Sequence, residues 1–323
     1  MADYKGIQGY TVQKLSDDPP AAQSAGQLWY NSTTGAFKIG TSGTGAWAAG
    51  GDLNTGRGEV GAAGTQSAGM VFAGEPPNTG KTETYDGSSW TEVADLNQVR
   101  YGVAGGGTQT AALCAGGYNY PPGNLGNAET WNGSAWTAIP AIGTVRRALS
   151  ASQSGTPSAF IIFAGNAPAA STGDTELYNG TTWAEQGNVN TARYQTAGFG
   201  TSTASVVVGG VGPPAQLAVT ETYNGSAWSE VGDLNTGREF FAGAGSTTAG
   251  LVFGGKTPSV TTKTEKWDGT SWTEVGDLGS AFAENGGLGT SAVALTAAGI
   301  PPTDNKSEEW NDPVYAIKTV TVS

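Results

Sequence analysis

The chain has 323 residues, 52 of them glycine, and its scarcity of helix formers favours short strands joined by tight turns. Its formal charge of −12 makes it a poor candidate for binding a phosphate backbone, which needs clustered Lys and Arg, so we expect no nucleic-acid partner. The sequence has no histidine and one cysteine, which removes the commonest general base and excludes disulfides, so we predict no enzymatic activity, metal or other cofactor.

Residues 1–45 are predicted to contain a β-hairpin. Between Gly26 and Ile39, aromatic strands flank a turn rich in Ser, Thr and Gly. The N-terminus lacks the basic and apolar regions of a signal peptide, and no apolar run in the chain is long enough to cross a bilayer. We therefore expect neither export by a signal peptide nor membrane insertion.

Residues 46–312 carry a tandem repeat. Tryptophans recur 43 to 47 residues apart, at Trp47, Trp90, Trp136, Trp183, Trp228 and Trp272. An arginine recurs in phase with them, at Arg57, Arg100, Arg146, Arg193 and Arg238, and Phe282 takes its place in the last unit. A period of roughly 40–50 residues made of short strands is typical of a β-propeller blade.

Each unit is predicted to form four strands. The first follows the arginine and is rich in Gly and Ala, which suits the crowded axis of a propeller. The second is an apolar run such as Phe160–Phe163, typical of a strand buried on both faces, and Cys114 lies in the corresponding run of unit two. The third carries Thr-Glu-Thr-Tyr and the fourth begins at the tryptophan. Asp-Gly or Asn-Gly separates them and favours a tight hairpin.

The sixth unit lacks a fourth strand of its own, because Asn311-Asp312-Pro313 interrupts it. Residues 46–53 match residues 271–278, which hold the fourth strand of unit five. We therefore predict that the strand around Trp47 completes the last blade and closes the ring, leaving no unpaired edge there. The predicted fold class is all-β, a six-bladed propeller with a small terminal β module.

The repeat resembles the kelch repeat over about residues 46–312. An arginine, two small residues, an aromatic residue and a tryptophan follow one another in the kelch order. The small pairs are Ala73-Gly74, Gly116-Gly117, Ala164-Gly165, Gly209-Gly210, Gly254-Gly255 and Ala298-Gly299. Kelch propellers share a fold and perform different functions, so the resemblance implies a kelch-like propeller and no particular activity.

Residues 313–323 are predicted to form one strand that pairs with the N-terminal segment. The hairpin motif Gly-x-Leu-Trp-Tyr-Asn-x-Thr-Thr-x-x-Phe-Lys looks like one in fibre and appendage proteins of tailed bacteriophages, and the terminal Thr-Val-Thr-Val-Ser is similar to endings in such proteins. This resemblance implies a virion protein, made in the host cytoplasm, whose ends bind other virion proteins. The implied anchor residues are Leu28, Trp29, Tyr30, Phe37, Tyr315 and Ile317.

The strand order places the arginines and the loops between strands two and three on one face. The arginines have two interpretations. They form an anion-binding or acidic-glycan-binding ring, or they pair with the equally regular glutamates Glu83, Glu129, Glu176, Glu221, Glu265 and Glu308. The planar guanidinium suits bidentate contacts with a carboxylate, which favours the second interpretation.

The loops on this face differ in length and sequence while the framework repeats, which is typical of a scaffold that presents a binding surface. The longest spans residues 118–126 and holds Tyr118, Tyr120, Pro121 and Pro122. Exposed tyrosines stack on sugars and anchor protein interfaces, so this loop is the best candidate contact with a host-surface glycan or protein. The alternative is that it is a turn stiffened by proline.

Three functional hypotheses remain. The first is a non-enzymatic phage structural protein, as a fibre, tail appendage or capsid decoration, that adheres to host surfaces. The second is a glycan-active enzyme or lectin, since carboxylates for paired-carboxylate chemistry are plentiful. The third is a kelch-type adaptor that binds a peptide across the arginine face.

Overall fold

In the computed structural model, residues 12–20, 23–213, 215–300, 304–312 and 314–320 are described, and of residues 42 and 314–316 only the backbone. This part of the chain folds as β-strands joined by turns and contains no α-helix. Within it, no helix is therefore long and apolar enough to span a membrane. The chain divides into two compact units, one formed by Ala46–Asn311 and the other by Met1–Gly45 together with Asp312–Ser323.

Unit Ala46–Asn311 is built from four-stranded antiparallel sheets that repeat along the chain. The first sheet holds Gly61–Thr65, Ala68–Phe72, Thr82–Tyr85 and Trp90–Val93. The second holds Ala104–Thr108, Ala111–Ala115, Ala128–Trp131 and Trp136–Ile139. The third holds Ser150–Ala151, Phe160–Phe163, Thr175–Tyr178 and Trp183–Glu185.

The next three sheets have the same strand order. The fourth holds Ala197–Thr201, Ala204–Val208, Thr220–Tyr223 and Trp228–Glu230. The fifth holds Ala242–Ser246, Ala249–Phe253, Thr264–Trp267 and Trp272–Glu274. The sixth holds Gly286–Gly289, Val293–Ala297, Ser307–Asn311 and, as its fourth strand, Ala46–Ala49.

Small residues in the first strands are required by close packing between neighbouring sheets. A Cβ added to Gly105 of the second sheet would lie 2.7 Å from the ring of Phe72 and 2.8 Å from the backbone nitrogen of Ala62, both in the first sheet. The second strands are buried apart from the first residue of most of them, as the apolar runs predict, and Phe160–Phe163 are 0 % exposed. The core therefore lies between the sheets, at the first and second strands.

The fourth strand of the sixth sheet comes from the other end of the unit. Ala46–Ala49 pairs antiparallel with Ser307–Asn311, and Trp47 lies opposite Trp310 with 5.5 Å between the ring centroids. This is the strand pairing that the sequence match predicts. The other sheets have an equivalent aromatic pair, such as Tyr85 opposite Trp90.

The repeat tryptophans also connect neighbouring sheets. The indole Nε1 of Trp136 in the second sheet donates to Oγ1 of Thr82 in the first, at 3.0 Å. The same bond recurs in three further pairs: Trp228 with Thr175, Trp272 with Thr220, and Trp47 with Thr264. A buried indole N–H needs an acceptor, which explains why a threonine precedes the repeat glutamate in these units.

A cycle of backbone hydrogen bonds links the six sheets just before their first strands. In each sheet, the N–H of the residue two positions after the repeat arginine (Phe282 in the sixth) donates to the carbonyl of its counterpart in the preceding sheet, at 2.7–3.1 Å. The last bond runs from Glu59 of the first sheet to Glu284 of the sixth. The six residues, here called the mouth ring, are Glu59, Gly102, Ala148, Gln195, Phe240 and Glu284.

Two adjoining cavities lie along the first strands. The inner cavity, about 90 Å³, is lined by first-strand residues of all six sheets, and the outer cavity, about 80 Å³, is lined by the mouth ring. They share one residue from each repeat: Val60, Val103, Leu149, Thr196, Phe241 and Asn285. The repeated sheets and this arrangement are compatible with the blades of a β-propeller.

The other unit holds a sheet of its own, here called the terminal sheet. Leu28–Asn31 pairs antiparallel with Ala36–Gly43, which pairs antiparallel with Val314–Thr319, as the sequence predicts. An additional strand, Gln13–Leu15, runs parallel to Leu28–Asn31 and was not predicted. Three residues are too few for an alternating pattern to identify them as a strand.

Candidate binding face

The repeat arginines are buried and paired with the repeat glutamates. All five are at most 1 % exposed. The nitrogen–oxygen distance is 2.5–3.1 Å in four of the pairs. The pairs are Arg57 with Glu83, Arg100 with Glu129, Arg146 with Glu176, Arg193 with Glu221 and Arg238 with Glu265. The predicted pairing is present, and the alternative of an exposed ring that binds an anion or acidic glycan is excluded because water does not reach these groups.

Four of these glutamates are also held by an asparagine that lies three residues before the repeat arginine (Asn54, Asn97, Asn190 and Asn235), while Glu176 accepts from the backbone N–H groups of Gly143 and Thr144. The backbone N–H and side-chain Nδ2 of Asn54 donate to Oε2 of Glu83 at 2.7 and 2.9 Å, while Arg57 binds Oε1. In the sixth unit Glu308 accepts instead from the N–H groups of Gly279 and Ser280, and buried Phe282 fills the arginine position. These hydrogen bonds therefore form a structural network that fixes where the loops begin.

The variable loops lie on the same face as the arginines. The residue after each of the first five arginines forms a β-bridge with a loop residue: Gly58 with Glu75, Tyr101 with Tyr118, Arg147 with Asn166, Tyr194 with Val211, and Glu239 with Lys256. The predicted common face is thus confirmed for these five units. The bridges place the loops around the mouth ring, which is the next residue along each repeat.

The mouth ring is regular in backbone and irregular in chemistry. All six residues have φ between 50° and 62°, a conformation that non-glycine residues rarely adopt. Glu59 and Glu284 bring carboxylates from neighbouring sheets, while Gly102 brings no side chain and leaves room for its neighbour. A Cβ at Gly102 would lie 2.8 Å from Oε2 of Glu59. The two carboxylates of the ring therefore lie in neighbouring sheets, while its other polar side chain, Gln195, lies apart from them.

Glu59 is the most perturbed carboxyl group on this face. Burial and, after it, the negative charges of Glu284 and Glu75 raise its pKa to about 7, against the opposing effect of Arg147 and Lys256. The charges of Glu284 and Glu75 act on Glu59 more strongly than those of Arg147 and Lys256. Its charge therefore changes near neutral pH.

Lys256 occupies the rim beside Glu284. Its ammonium Nζ lies 3.0 Å from Oε1 of Glu284 and 4.5 Å from the centroid of the Phe240 ring. The pair is partly exposed, with 25 % and 16 % of the two side chains accessible. This side of the mouth thus already holds an ammonium group between a carboxylate and an aromatic face.

The loop of residues 118–126 contributes two different surfaces. The ring of Tyr118 is half-buried, 5.4 Å from the ring of Tyr101 and 4.6 Å from the guanidinium carbon of Arg147. Tyr120 is 78 % exposed, and Pro121 and Pro122 beside it are exposed. Tyr118 is therefore part of the rim, while Tyr120 is free to contact a partner.

The terminal sheet places the implied anchor residues in different environments. Trp29 is 2 % exposed, and its Nε1 donates to Asp18 at 3.0 Å, so Trp29 belongs to the interior of its unit and is no free anchor. Leu28, Tyr30 and Ile317 are half-buried, and Phe37 is 42 % exposed with its ring 5.2 Å from that of Tyr30. The side chain of Tyr315 lies outside the described residues.

In the described part of the chain, no group of three or more His, Cys, Asp or Glu side chains could hold a metal ion. Cys114 is buried, accepts a hydrogen bond from Arg100 at 3.2 Å, and has its pKa raised by burial, so it is a core residue as predicted.

No protein-family model and no curated protein match the chain. Its function has to be inferred from this geometry and from the sequence resemblances.

The residues that sequence reasoning missed are those of the mouth: Glu59, Glu284, Phe240, Arg147 and Lys256. Four of them follow the arginine position by one or two residues. The signal in the alignment of the units is that the residues just after the repeat arginine vary while the arginine itself recurs, and the second of them is Glu, Gly, Ala, Gln or Phe. Variation beside a fixed position of a regular repeat indicates a surface that the framework does not constrain.

Proposed function

We propose that this chain is a non-enzymatic structural protein of a tailed bacteriophage, a fibre, tail appendage or capsid decoration that adheres to the host surface. Its repeat forms a six-bladed, kelch-like β-propeller over residues 46–312, and its ends bind other virion proteins. The mouth ring and the loops around it contact a host glycan or protein. The protein is made in the host cytoplasm and assembled into the particle.

The closed propeller is supported by three features of unit Ala46–Asn311. The cycle of backbone hydrogen bonds returns from Glu284 to Glu59, the inner cavity is lined by all six sheets, and the sixth sheet is completed by Ala46–Ala49. A set of sheets that met only as neighbours in a row would leave the first and last without mutual contacts. The order of arginine, small pair and tryptophan supports the kelch likeness.

The role in adhesion rests on one observation: the variable side chains are gathered on one face of a repeated framework. The arginine–glutamate pairs, and the asparagines bonded to those glutamates, hold the base of this face. Tyr120 extends from it with 78 % of its surface exposed. Asn124 fixes its loop by donating to the carbonyl of Asn166 at 2.8 Å. Exposed aromatic residues on a fixed support bind partners at low entropic cost.

The assignment to the virion rests on the hairpin motif and on the separate terminal unit. The aromatic residues Tyr30 and Phe37 lie next to each other on the hairpin, and Phe37 is exposed. An exposed aromatic residue on an independent unit is suited to docking on another protein. This supports an anchor of Phe37, Tyr30, Leu28 and Ile317, without Trp29.

Two measurements test the proposal. Mass spectrometry of purified particles of the phage that encodes the chain should detect it in a fixed ratio to the major capsid protein, and its absence would refute the virion assignment. Labelled protein should bind host cells, and Tyr120→Ser should weaken binding. Val293→Ser is the control, since Val293 is also an exposed apolar side chain, at 41 %, and begins a second strand, at the end away from the mouth. Equal binding by both variants would refute the assigned face.

A glycan-active enzyme is the second candidate, favoured by the neighbouring carboxylates of Glu59 and Glu284 and by the pKa of Glu59 near 7. A protonated carboxyl beside an ionised one is what glycoside hydrolysis requires. Release of reducing ends from host polysaccharide, lost in Glu59→Gln, would support it. The kelch adaptor loses its basis, because the arginines assigned to peptide binding are buried.

A further inference from the structure

The mouth of the cavity is lined by hydrogen-bond acceptors. Glu59 and Glu284 provide carboxylates, and Asn285, the next residue, lines both cavities. Asn285 is 8 % exposed, and its Nδ2 donates to Oγ1 of Thr296 at 2.7 Å. Its Oδ1 is buried and has no hydrogen-bond partner among the described residues. A buried acceptor without a donor is costly, so this atom calls for a ligand that brings an N–H or O–H group.

The potential at this point favours a cation. At Glu59 the negative charges of Glu284 and Glu75 outweigh the positive charges of Arg147 and Lys256. An acidic sugar would be repelled from the mouth, whereas a protonated amine would be attracted.

The structure contains an example of such recognition. The ammonium of Lys256 is bound by the carboxylate of Glu284 at 3.0 Å and lies 4.5 Å from the Phe240 ring centroid. A second ammonium in the outer cavity would find Glu59 as an acceptor, and Oδ1 of Asn285 as another once this buried side chain turns toward it. Its three N–H donors match this acceptor-rich lining better than a single hydroxyl does.

We propose that the mouth binds the protonated primary amine of an amino sugar, with Glu59, Glu284 and Asn285 as the residues that accept its hydrogen bonds. This inference rests on the proposed adhesion function, and it specifies the ligand as a glycan with unsubstituted amino groups. The sugar ring stays at the rim, because the outer cavity of about 80 Å³ holds little more than the amine. Tyr118 and Tyr101 offer aromatic surface there.

A matched set of monosaccharides tests the inference. Glucosamine, N-acetylglucosamine and glucose differ only at one carbon, which carries an ammonium, an amide or a hydroxyl. An amine of this kind keeps most of its protons at pH 7, as an α-amino group does. In an NMR titration of the full chain at pH 7 and low salt, glucosamine should bind about tenfold more tightly than the other two.

Variants of the chain assign the effect to the mouth. Glu59→Gln and Glu284→Gln should each remove most of the preference for glucosamine, and both keep the size of the side chain. Glu185→Gln removes the same charge from an exposed outer strand and should leave the preference intact. Amide shifts should change at residues 59, 284 and 285 of the unmodified chain and not along the outer strands.

Several results would overturn the inference. Equal affinity for glucose would make the mouth a general polyol site, and tighter binding of N-acetyl-lysine amide would indicate a protein ligand. Absence of any binding would refute the site itself. If the unmodified chain shows no preference for glucosamine and cell adhesion is intact, only this inference is refuted. Absence of the chain from particles would refute the proposed function and leave the titration result standing.

Discussion

At the residue scale, the repeat depends on buried charge pairs that have many partners. Arg57 donates through Nε to the carbonyl of Ala73 at 3.0 Å and through Nη1 to that of Thr55 at 2.7 Å, besides its contact with Glu83. A buried carboxylate that loses its counter-ion is left uncompensated in a medium of low polarity. The pair is thus hard to break from one side, and in the sixth unit, where Phe282 replaces the arginine, Glu308 is held by the N–H groups of Gly279 and Ser280 instead.

We expect Arg57→Met to destabilise the protein by about 3–5 kcal/mol, because it leaves Glu83 buried without its cation. Lys81→Met is the control in the same sheet, since it removes the exposed pair of Lys81 and Glu92, whose side chains are 34 % and 46 % accessible. That change should cost at most about 1 kcal/mol. Urea unfolding of both variants measures the difference, and similar losses would contradict the role assigned to burial.

Ionisation of Glu59 is expected to lower the free energy of unfolding as the pH rises. Its folded-state pKa of about 7 is raised above the ordinary value, so the folded protein holds this proton more tightly than the unfolded chain does. Its stabilising contribution is therefore complete in acid and lost as the pH rises through 7. Glu59→Gln keeps a neutral side chain and should exceed the parent in stability at pH 8 by on the order of 1–2 kcal/mol.

The difference in the free energy of unfolding between Glu59→Gln and the parent should narrow toward pH 5, where residue 59 is neutral in both folded proteins. Thermal unfolding at several pH values measures it. The same series on Glu185→Gln, at an exposed position, should not reproduce the profile. A gap that stays constant with pH would show that the side chain of Glu59 is ionised in the folded protein throughout.

At the element scale, the strand that comes from the far end of the repeat is as well bonded as any other fourth strand. Trp47 donates to Thr264 of the fifth sheet at 3.0 Å, and its ring lies 4.8 Å from that of Phe253. Trp183, in the third sheet, is likewise half-buried and packs 5.1 Å from Tyr178. Connection along the chain therefore does not decide how strongly a fourth strand is held.

Trp47→Ala and Trp183→Ala should destabilise the protein by similar amounts, about 2–4 kcal/mol each, because both remove a half-buried indole and an inter-element hydrogen bond. Denaturant midpoints with unchanged m-values would give the comparison. A negligible cost for Trp47→Ala beside a large one for Trp183→Ala would mean that Ala46–Ala49 is not docked on the sixth sheet in solution.

At the scale of the whole molecule, two sets of strands make two units. The terminal sheet takes its strands from both ends of the chain, and the six repeated sheets take theirs from Ala46–Asn311. Without Ala46–Ala49 the sixth sheet would present Ser307–Asn311 as an open edge. Unpaired edges promote association between chains.

Two truncations should therefore behave differently. The fragment 46–311 should fold as a monomer with nearly the same melting temperature for the repeated sheets as in the full chain. The fragment 50–311 lacks only four more residues, yet it should melt earlier and aggregate through the exposed edge. Calorimetry and light scattering measure both effects, and equal behaviour of the fragments would refute the importance of this strand.

Much of the framework could be predicted from the sequence because its positions repeat. Arginine and glutamate recur in phase, so each pair in one unit predicts the pairs in the others, and the match between residues 46–53 and 271–278 predicts the partner of Ser307–Asn311. The strand Gln13–Leu15 escaped prediction because it occurs once and is short. The alternative of an exposed arginine ring is excluded only by the burial of the guanidinium groups, which the tertiary structure shows.

The sequence by itself determined the all-β class, the four-stranded unit and the chemistry of its buried pairs, because periodic residues meet the same environment in every unit. The tertiary structure alone decided which side chains share the mouth. Glu59 and Glu284 are distant in the chain and adjacent in the hydrogen-bond cycle. Their charges act on each other through space, and a repeat pattern contains no information about that distance.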